Sequence, residues 1–578
     1  MKQPKVTVGL GVHNGEKTLG AALDSLLDQS LQDISIFISD NASTDATAAI
    51  CKRRAADHPN VIYHRHEKKL SIAENFRFAL SLAKTDYFMW LAADDEIASS
   101  FIAKNHDFLH ENPDYVSSQG RVLLHSDHVP TRYSNGTFKL SGTTADNMTA
   151  FLRRPADNSR FYGLFRTAAL RASYPNGEIY AFDWAASLGT LLQGSQNEID
   201  ETLMLRDETP ASDYLSSYRD YPGTGLARLF PVFPLSKYLL RHYRILRHPK
   251  PLLALLRLNI LIAVRFASYG AYHAALDRLN RTSVGIGAAL ARLAVSITAP
   301  DLISRIKAPW RRANGMLGNF AKPSQTPQPI VPQDSGWRRF PDTTDIRPQI
   351  SVILIVQDAL ENTLRLMQTI AQAAASCSFE IILVDCGSVD ATPLLFRKRT
   401  DLAYIPCLAT STFEQAVQVS ASRARGETLI FIEPNCRLHF GALRELAGGL
   451  ADADMCGPVC LADEAFAGDE EMHKAAHPDE VYGELGTPFS SGHNGGAQKA
   501  EYCLGAFALS GETLGRHLAA PGAGYMTHAG FSAELSARIW RDGGRVIMQP
   551  SAVVTRRPQP NKEHENADRR QVFVRGAR

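Results

Sequence analysis

"VTVGLGVHNGEKTLGAALDSLLDQSLQDISIFISD", residues 6–40, contains two apolar, β-branched runs, VTVGLGV and ISIFISD. Between them lies a stretch whose leucines recur at helical spacing. Strand, helix and strand in this order make a parallel βαβ unit. The pattern continues outward with a helix over DATAAICKRRAAD, a strand VIYHRH, a helix SIAENFRFALSLAKT and a strand YFMWLAA. It predicts an α/β fold with a doubly wound, mostly parallel sheet, in which ligands bind beyond the carboxyl ends of the strands. Asp40 and Asp94 each fall at such an end.

The last of these strands raises a question of its own. YFMWLAADDE, residues 87–96, runs apolar and then ends on Asp94, Asp95 and Glu96. Adjacent carboxylates repel and are costly to desolvate, so the arrangement calls for a cation, a basic partner or exposure to water. Asp40 is the second residue of SDNASTDAT, where an Asp can accept from a nucleobase N–H or a ribose hydroxyl, and Asp45 fits a helix cap. Taken alone, that stretch reads equally well as a plain strand-to-helix turn.

A chain of 578 residues exceeds one hydrophobic core; at about 100–200 residues per domain it divides into three or four units. Its 44% apolar and 21% charged content is that of a folded, soluble protein. The net charge of +2 hides an asymmetry: 15 of the 62 basic residues, but only Asp277 and Asp301 of the 60 acidic ones, fall between residues 225 and 315. No long apolar core follows the N-terminus, so no signal peptide is expected. Seven of eight cysteines lie from Cys377 to Cys503, and CGPVC lacks the spacing of common zinc sites, which points to reduced structural cysteines in a cytoplasmic protein.

The order of elements recurs from residue 350 with ISVILIVQD, ENTLRLMQTIAQAAA, FEIILVDCGSVDAT, TFEQAVQVSASRARG and TLIFIEPN. LVDCGSVDAT lies over ISDNASTDAT and TLIFIEPN over YFMWLAADD, so the halves read as copies of one domain. The expected organisation is a first domain at 1–222, a basic amphipathic helical segment at 223–318, a Pro/Gln/Ser-rich linker at 319–347, a second domain at 348–558 and a disordered tail at 559–578. Residues 251–276 are long and apolar enough to span a bilayer, but Arg257 and Arg265 interrupt them. Two readings stay open: helices packed between the domains, or helices resting on an anionic membrane surface at the inner face of the cytoplasmic membrane. No nucleic-acid motif accompanies the basic residues, so nucleic acid is not an expected partner.

VTVGLGVHNGEKTLGAALDSLLDQS, ISDNASTDAT, AENFRFAL and WLAADDE, in this order and at these intervals, resemble the nucleotide-sugar-binding half of family 2 glycosyltransferases of GT-A fold over about residues 5–210. The resemblance implies two GT-A, Rossmann-like domains, the second degenerate. It implies an inverting transferase of hexosyl type that takes a sugar from a nucleotide-sugar donor to a glycan or lipid-linked acceptor in bacterial surface-polysaccharide assembly. It assigns nucleotide-sugar contacts to Asp40, Asn41, Asn75, Asp94 and Asp95, with Asp94 as ligand of a divalent Mg²⁺ or Mn²⁺. Oxygen donors suit such ions, which neutralise a diphosphate. The first Asp of the usual metal motif is Ala92 here, so coordination is leaner.

The catalytic base falls on Asp183 in IYAFDWAASLGTLLQG, which also fits a helix start. Arg206 and Asp207 stand where many relatives carry a His; a phosphate contact, a metal contact and a plain surface loop all remain open for them. In the second half Asp385 keeps the nucleotide position and the metal motif becomes Glu433 and Asn435. The acceptor-half Glu-Asp pair becomes Phe531 and Ser532, with Glu534 roughly 200° around the helix from the required direction. The alternatives are a non-catalytic carbohydrate-binding scaffold and a bifunctional transferase with both domains active.

Overall fold

In the computed structural model the described residues are 4–125, 132–177, 179–207, 230–263, 347–375, 377–462, 498–499, 505–518 and 528–556. The linker expected from 319 (Arg347 aside), the tail expected from 559 and the basic segment beyond residue 263 lie outside them.

The first sheet is built from β1 (Val6–Val12), β2 (Ile34–Asp40), β3 (Val61–Arg65), β4 (Tyr87–Ala92), β5 (Glu96–Ile97), β6 (Tyr115–His125), β7 (Arg132–Tyr133), β8 (Leu164–Arg166) and β9 (Ser195–Asp207). Its order is β3-β2-β1-β4-β8-β6-β9-β5, with β7 added on β6. β3, β2, β1 and β4 are parallel. β1 and β4 are covered on both faces, which is why they read as continuous apolar runs rather than alternating ones. A Cβ on Gly9 would stand 2.8 Å from the Phe88 ring and 2.9 Å from Ala79, so only glycine lets the helix Ile72–Ser81 lie this close to β1. That helix starts on a capping box between Ser71 and Glu74.

The far half of the sheet corrects the expectation of a mostly parallel sheet. β8 runs antiparallel to both β4 and β6, β9 is parallel to β6, and β5 is antiparallel to β9. The chain crosses between β1 and β4, and the crevice of this switch opens at the carboxyl ends of β1, β2 and β4.

The second sheet uses β10 (Ile350–Val356), β11 (Phe379–Asp385), β12 (Ala403–Pro406), β13 (Thr428–Ile432), β14 (Cys436–Leu438), β15 (Met455–Ala462), β16 (Gln498–Lys499), β17 (Ala506–Ser510) and β18 (Val546–Arg556). Its order, β12-β11-β10-β13-β17-β15-β18-β14, repeats the first sheet position by position. The likeness reaches the loops: Asn14 and Asp358 both take positive φ (55° and 49°), as do Ala42 and its counterpart Gly387 (57° and 74°).

The start of the basic segment belongs to the first unit. The helices Phe233–His242 and 249–263 bury Leu235, Leu239, Leu255 and Leu258 in one cluster with Trp184 and Leu188, while Leu253, Leu256 and Ile260 face outward. Among the described residues no helix is long and apolar enough to cross a membrane. The two sheets share a core: Leu123 of β6 and Leu205 of β9 lie in the cluster formed by β10, β11 and their helices.

Candidate functional site

Asp40 ends β2 fully buried. Its Oδ1 accepts from Ser43 N at 2.9 Å and its Oδ2 from the Tyr63 hydroxyl at 2.8 Å, so the carboxylate is oriented from both sides at the crevice floor. Asn41 fastens the loop after β3, its amide accepting from Leu70 N at 2.7 Å and donating to Leu70 O at 3.0 Å. Asn75, on the helix Ile72–Ser81, accepts from Ser39 Oγ at 2.6 Å beneath Gly11. Three of the five expected nucleotide-sugar residues, Asp40, Asn41 and Asn75, therefore gather around one strand end. The two amides are engaged there in shaping the crevice wall.

The three carboxylates after β4 meet three different fates. Asp94 is exposed on the turn. Asp95 is buried, its Oδ2 accepting from Arg206 Nε at 3.1 Å and its Oδ1 from Asp207 N at 3.2 Å. Burial drives the Asp95 carboxyl up to about 7 against the opposing pull of Arg206, and Asp94 adds to the rise. Burial lowers the Arg206 guanidinium in turn, but Asp95 more than offsets it and holds the group protonated. Glu96, also buried, is held by Arg397 and Lys398 of the second domain. Of the three, only Asp94 is left presented to solvent.

Arg206 links this turn to the acceptor side. It lies 4.6 Å over the Tyr162 ring and its Nη1 donates to Ser159 Oγ at 2.8 Å. Its guanidinium thus serves the inside of the protein, and Asp207 contributes its backbone N–H to the same turn. Asn158, in the left-handed region at φ 48°, precedes the short 3-10 helix Ser159–Tyr162 and donates from Nδ2 to Asp183 Oδ2 at 2.8 Å. Asp183 occupies the first turn of the helix Phe182–Thr190, whose N-cap, Ala181, is itself left-handed at φ 58°. A helix N-terminus favours an anion there.

Burial raises the Tyr162 phenol; Arg206 opposes the rise, and Asp95, Asp94 and Asp183 add to it. Tyr162, Ser159 and Asn158 carried no sequence signal beyond their polarity, because the antiparallel half of the sheet alone brings them to the turn.

The second domain reproduces the frame and alters the chemistry. Asp385 accepts from Ser388 N at 2.8 Å and from the Tyr404 hydroxyl at 2.6 Å, as Asp40 does from Ser43 and Tyr63. Strand register sets Glu433 opposite Ala92, Asn435 opposite Asp94 and Arg556 opposite Arg206. Arg556 Nε donates to Glu433 at 2.5 Å, and His528 Nδ1 stands 3.4 Å from the other oxygen. Burial raises the Glu433 carboxyl, but His528 and Arg556 outweigh it and hold the group down at about 2. Asn435 is buried. Ser532, which the sequence sets over the expected base position, is fully buried, and Glu534 accepts from Arg538 Nε at 3.0 Å, one turn along its own helix. Among the described residues no group of three or more His, Cys, Asp or Glu forms a metal cage by itself.

Residues 7–172 match the model of glycosyl transferase family 2. The chain is 27% identical over 185 residues to the teichoic acid poly(glycerol phosphate) polymerase of Staphylococcus epidermidis, a stretch that is 29% of this chain and 23% of that protein. It is 34% identical over 106 residues to the abequosyltransferase RfbV of Salmonella typhimurium, 18% of this chain and 32% of that one. The chain thus spans well under half the length of these relatives. Among solved structures, a mannosyltransferase of Pyrobaculum calidifontis in complex with GDP-Man and Mn²⁺ aligns at 16% identity and TM-score 0.33, covering 52% of this chain and 81% of that one. S. aureus TarS 1–349 in complex with UDP-GlcNAc aligns at 16% identity and TM-score 0.31, covering 44% and 80%.

Proposed function

We propose, from the match of residues 7–172 to the model of glycosyl transferase family 2, that the protein transfers a glycosyl group from a nucleotide-diphospho-sugar to a hydroxyl of a glycan or lipid-linked acceptor. The first domain performs the chemistry. The observation that carries this reading is a bonded chain across the site: Asn158 donates to Asp183, the adjacent Ser159 accepts from Arg206, and Arg206 holds Asp95 beside the exposed Asp94. The nucleoside seats in the crevice shaped by Asp40, Asn41 and Asn75, and the sugar extends toward Asp183.

The donor set fits a hard divalent cation in a lean form, one exposed carboxylate completed by the donor's own phosphates, as such ions are commonly held. A Mg²⁺ or Mn²⁺ bound by Asp94 would supply neutralisation of the departing diphosphate. Asp183 takes the proton of the acceptor hydroxyl. As it does so, the acceptor oxygen forms its bond to the anomeric carbon from the face opposite the leaving group. The bond from that carbon to the diphosphate breaks with its electrons going to phosphate, and the anomeric centre inverts. Asn158 fixes which way the Asp183 carboxylate points.

The second domain is proposed as non-catalytic. Its carboxylate at the metal position is paired with Arg556, and a buried serine replaces the base.

A thermal-shift screen of UDP, GDP, CMP and dTDP with and without Mn²⁺, on the full chain and on Asp94→Ala, tests the site. Stabilisation that requires the metal and vanishes in the variant is expected and identifies the base of the donor. No shift with any nucleotide in a folded sample would sink the reading and favour a carbohydrate-binding scaffold.

A further inference from the structure

Glu96 is 3% exposed, and both of its oxygens are held from across the domain interface, one by Arg397 and one by Lys398. A carboxylate this deep is tolerated only when paired, and the second domain provides both of its cations. The same segment of the second domain brackets the strands on either side. Ser100 Oγ donates to Val389 O at 2.9 Å, just past β5, and Ala391 N donates to Thr202 O at 3.0 Å within β9. Arg121 Nη1 donates to Glu361 at 2.9 Å further along the interface.

Within its own domain the acidic turn is held through its neighbours and not through Glu96. β5 has two residues, paired as Glu96 with Leu205 and Ile97 with Met204; Asp95 accepts from Arg206 and from Asp207 N, and Ile97 N and Ala98 O are bonded by Ser25 and Gln29. The docking segment is the second domain's copy of the loop after Asp40. Val389 corresponds to Thr44 and Ala391 to Ala46, and the bonds match: Thr44 N donates to Asn14 Oδ1 at 2.8 Å and Val389 N to Asp358 Oδ1 at 2.7 Å. Ala46 is exposed in the crevice wall of the first domain, whereas Ala391 is fully buried. A loop that borders the ligand crevice in one domain is a docking edge in the other.

We infer that the second domain is a clamp, acting within the same chain, on the donor site: by neutralising Glu96 and bracketing β5 and β9 it fixes the turn that presents Asp94. The inference rests on the reading of Asp94 as a donor-site residue. Glu96, Arg397 and Lys398 are positioning residues, and none of them touches substrate.

The test is the double variant Arg397→Ala/Lys398→Ala in the full chain, read by amide hydrogen exchange and by donor kinetics. Exchange protection should fall over residues 93–100 and 203–207 while β10 and β11 keep theirs. The donor KM should rise about tenfold, within the roughly 5- to 150-fold that coupling between sites reaches. Adding Glu96→Gln to the double variant should recover part of the loss, because a buried amide needs no cation; Lys398→Arg should behave as wild type. Unchanged protection at 93–100 overturns the clamp, as does lost protection with an unchanged donor KM. If the double variant fails to fold, Glu96→Gln alone, which removes the charge from the other side, must shift protection in the same two segments or the inference falls. A wild-type chain inactive with every donor would overturn the proposed function instead, and exchange alone would then decide the clamp.

Discussion

Asp183→Asn keeps the side chain's shape and its place at the helix start while removing its capacity to take a proton, so it separates the base from the cap. We expect kcat to fall by about 10²- to 10⁴-fold, the usual contribution of a positioned base, with donor KM and melting temperature close to wild type. Arg206→Ala has a different signature. It leaves the buried Asp95 without its cation and Tyr162 and Ser159 without the guanidinium that joins them, and is expected to cost about 3–5 kcal/mol in denaturant unfolding. Arg206→Lys is not expected to rescue it, because contacts to Asp95 from Nε and to Ser159 from Nη1 need the planar fork. At this scale the places of Asp94 just past the end of β4 and of Asp183 at a helix start were legible in the sequence, since each stands at a point fixed by neighbouring residues of a linked pattern. The partners of Arg206 were not: they lie 111 and 47 residues away along the chain, and nothing local encodes the antiparallel half-sheet that brings them together.

Between elements, the two copies of one strand end show how a single arginine is put to two uses. At the end of β9 Arg206 pairs with the carboxylate three residues past β4; at the end of β18 Arg556 pairs with Glu433, at the position where the first domain has Ala92. Glu433 is held at about 2, below its ordinary 4.5. A carboxyl lowered on folding stabilises above its unfolded value and loses that contribution as pH falls toward the folded one. At about 1.4 kcal/mol per unit this is roughly 3 kcal/mol. Glu433→Gln is therefore expected to lower the stability of the second domain by about that amount at pH 7, with the gap to wild type narrowing as the pH drops below about 4.5; urea unfolding across that range checks it. The parallel strands and their helices were readable because doubly covered strands are apolar throughout. The short strands β5 and β14 were not, because two or three residues carry no period.

Across the whole molecule, Leu205 belongs to β9 by sequence and to the second domain's core by packing. Leu205→Ala in the full chain is expected to cost about 2–5 kcal/mol and to loosen the two units from each other, as a melting curve split into two transitions would reveal. A chain cut after residue 263 uncovers Leu123 and Leu205 together and is expected to elute from size exclusion as associated species. The tandem organisation was visible in the sequence as repeated order, but the docking was not, since Arg397, Lys398 and Glu96 have no proximity until both domains are folded. Their pairing also bears on descent. While a duplicated domain is independent, its loss costs the lineage nothing but its own activity. With Glu96 set in an interface, deleting the second copy takes away both cations of the carboxylate that follows Asp94 and Asp95. On the inference drawn above, the second copy is then needed for the charge it covers, whatever its own activity.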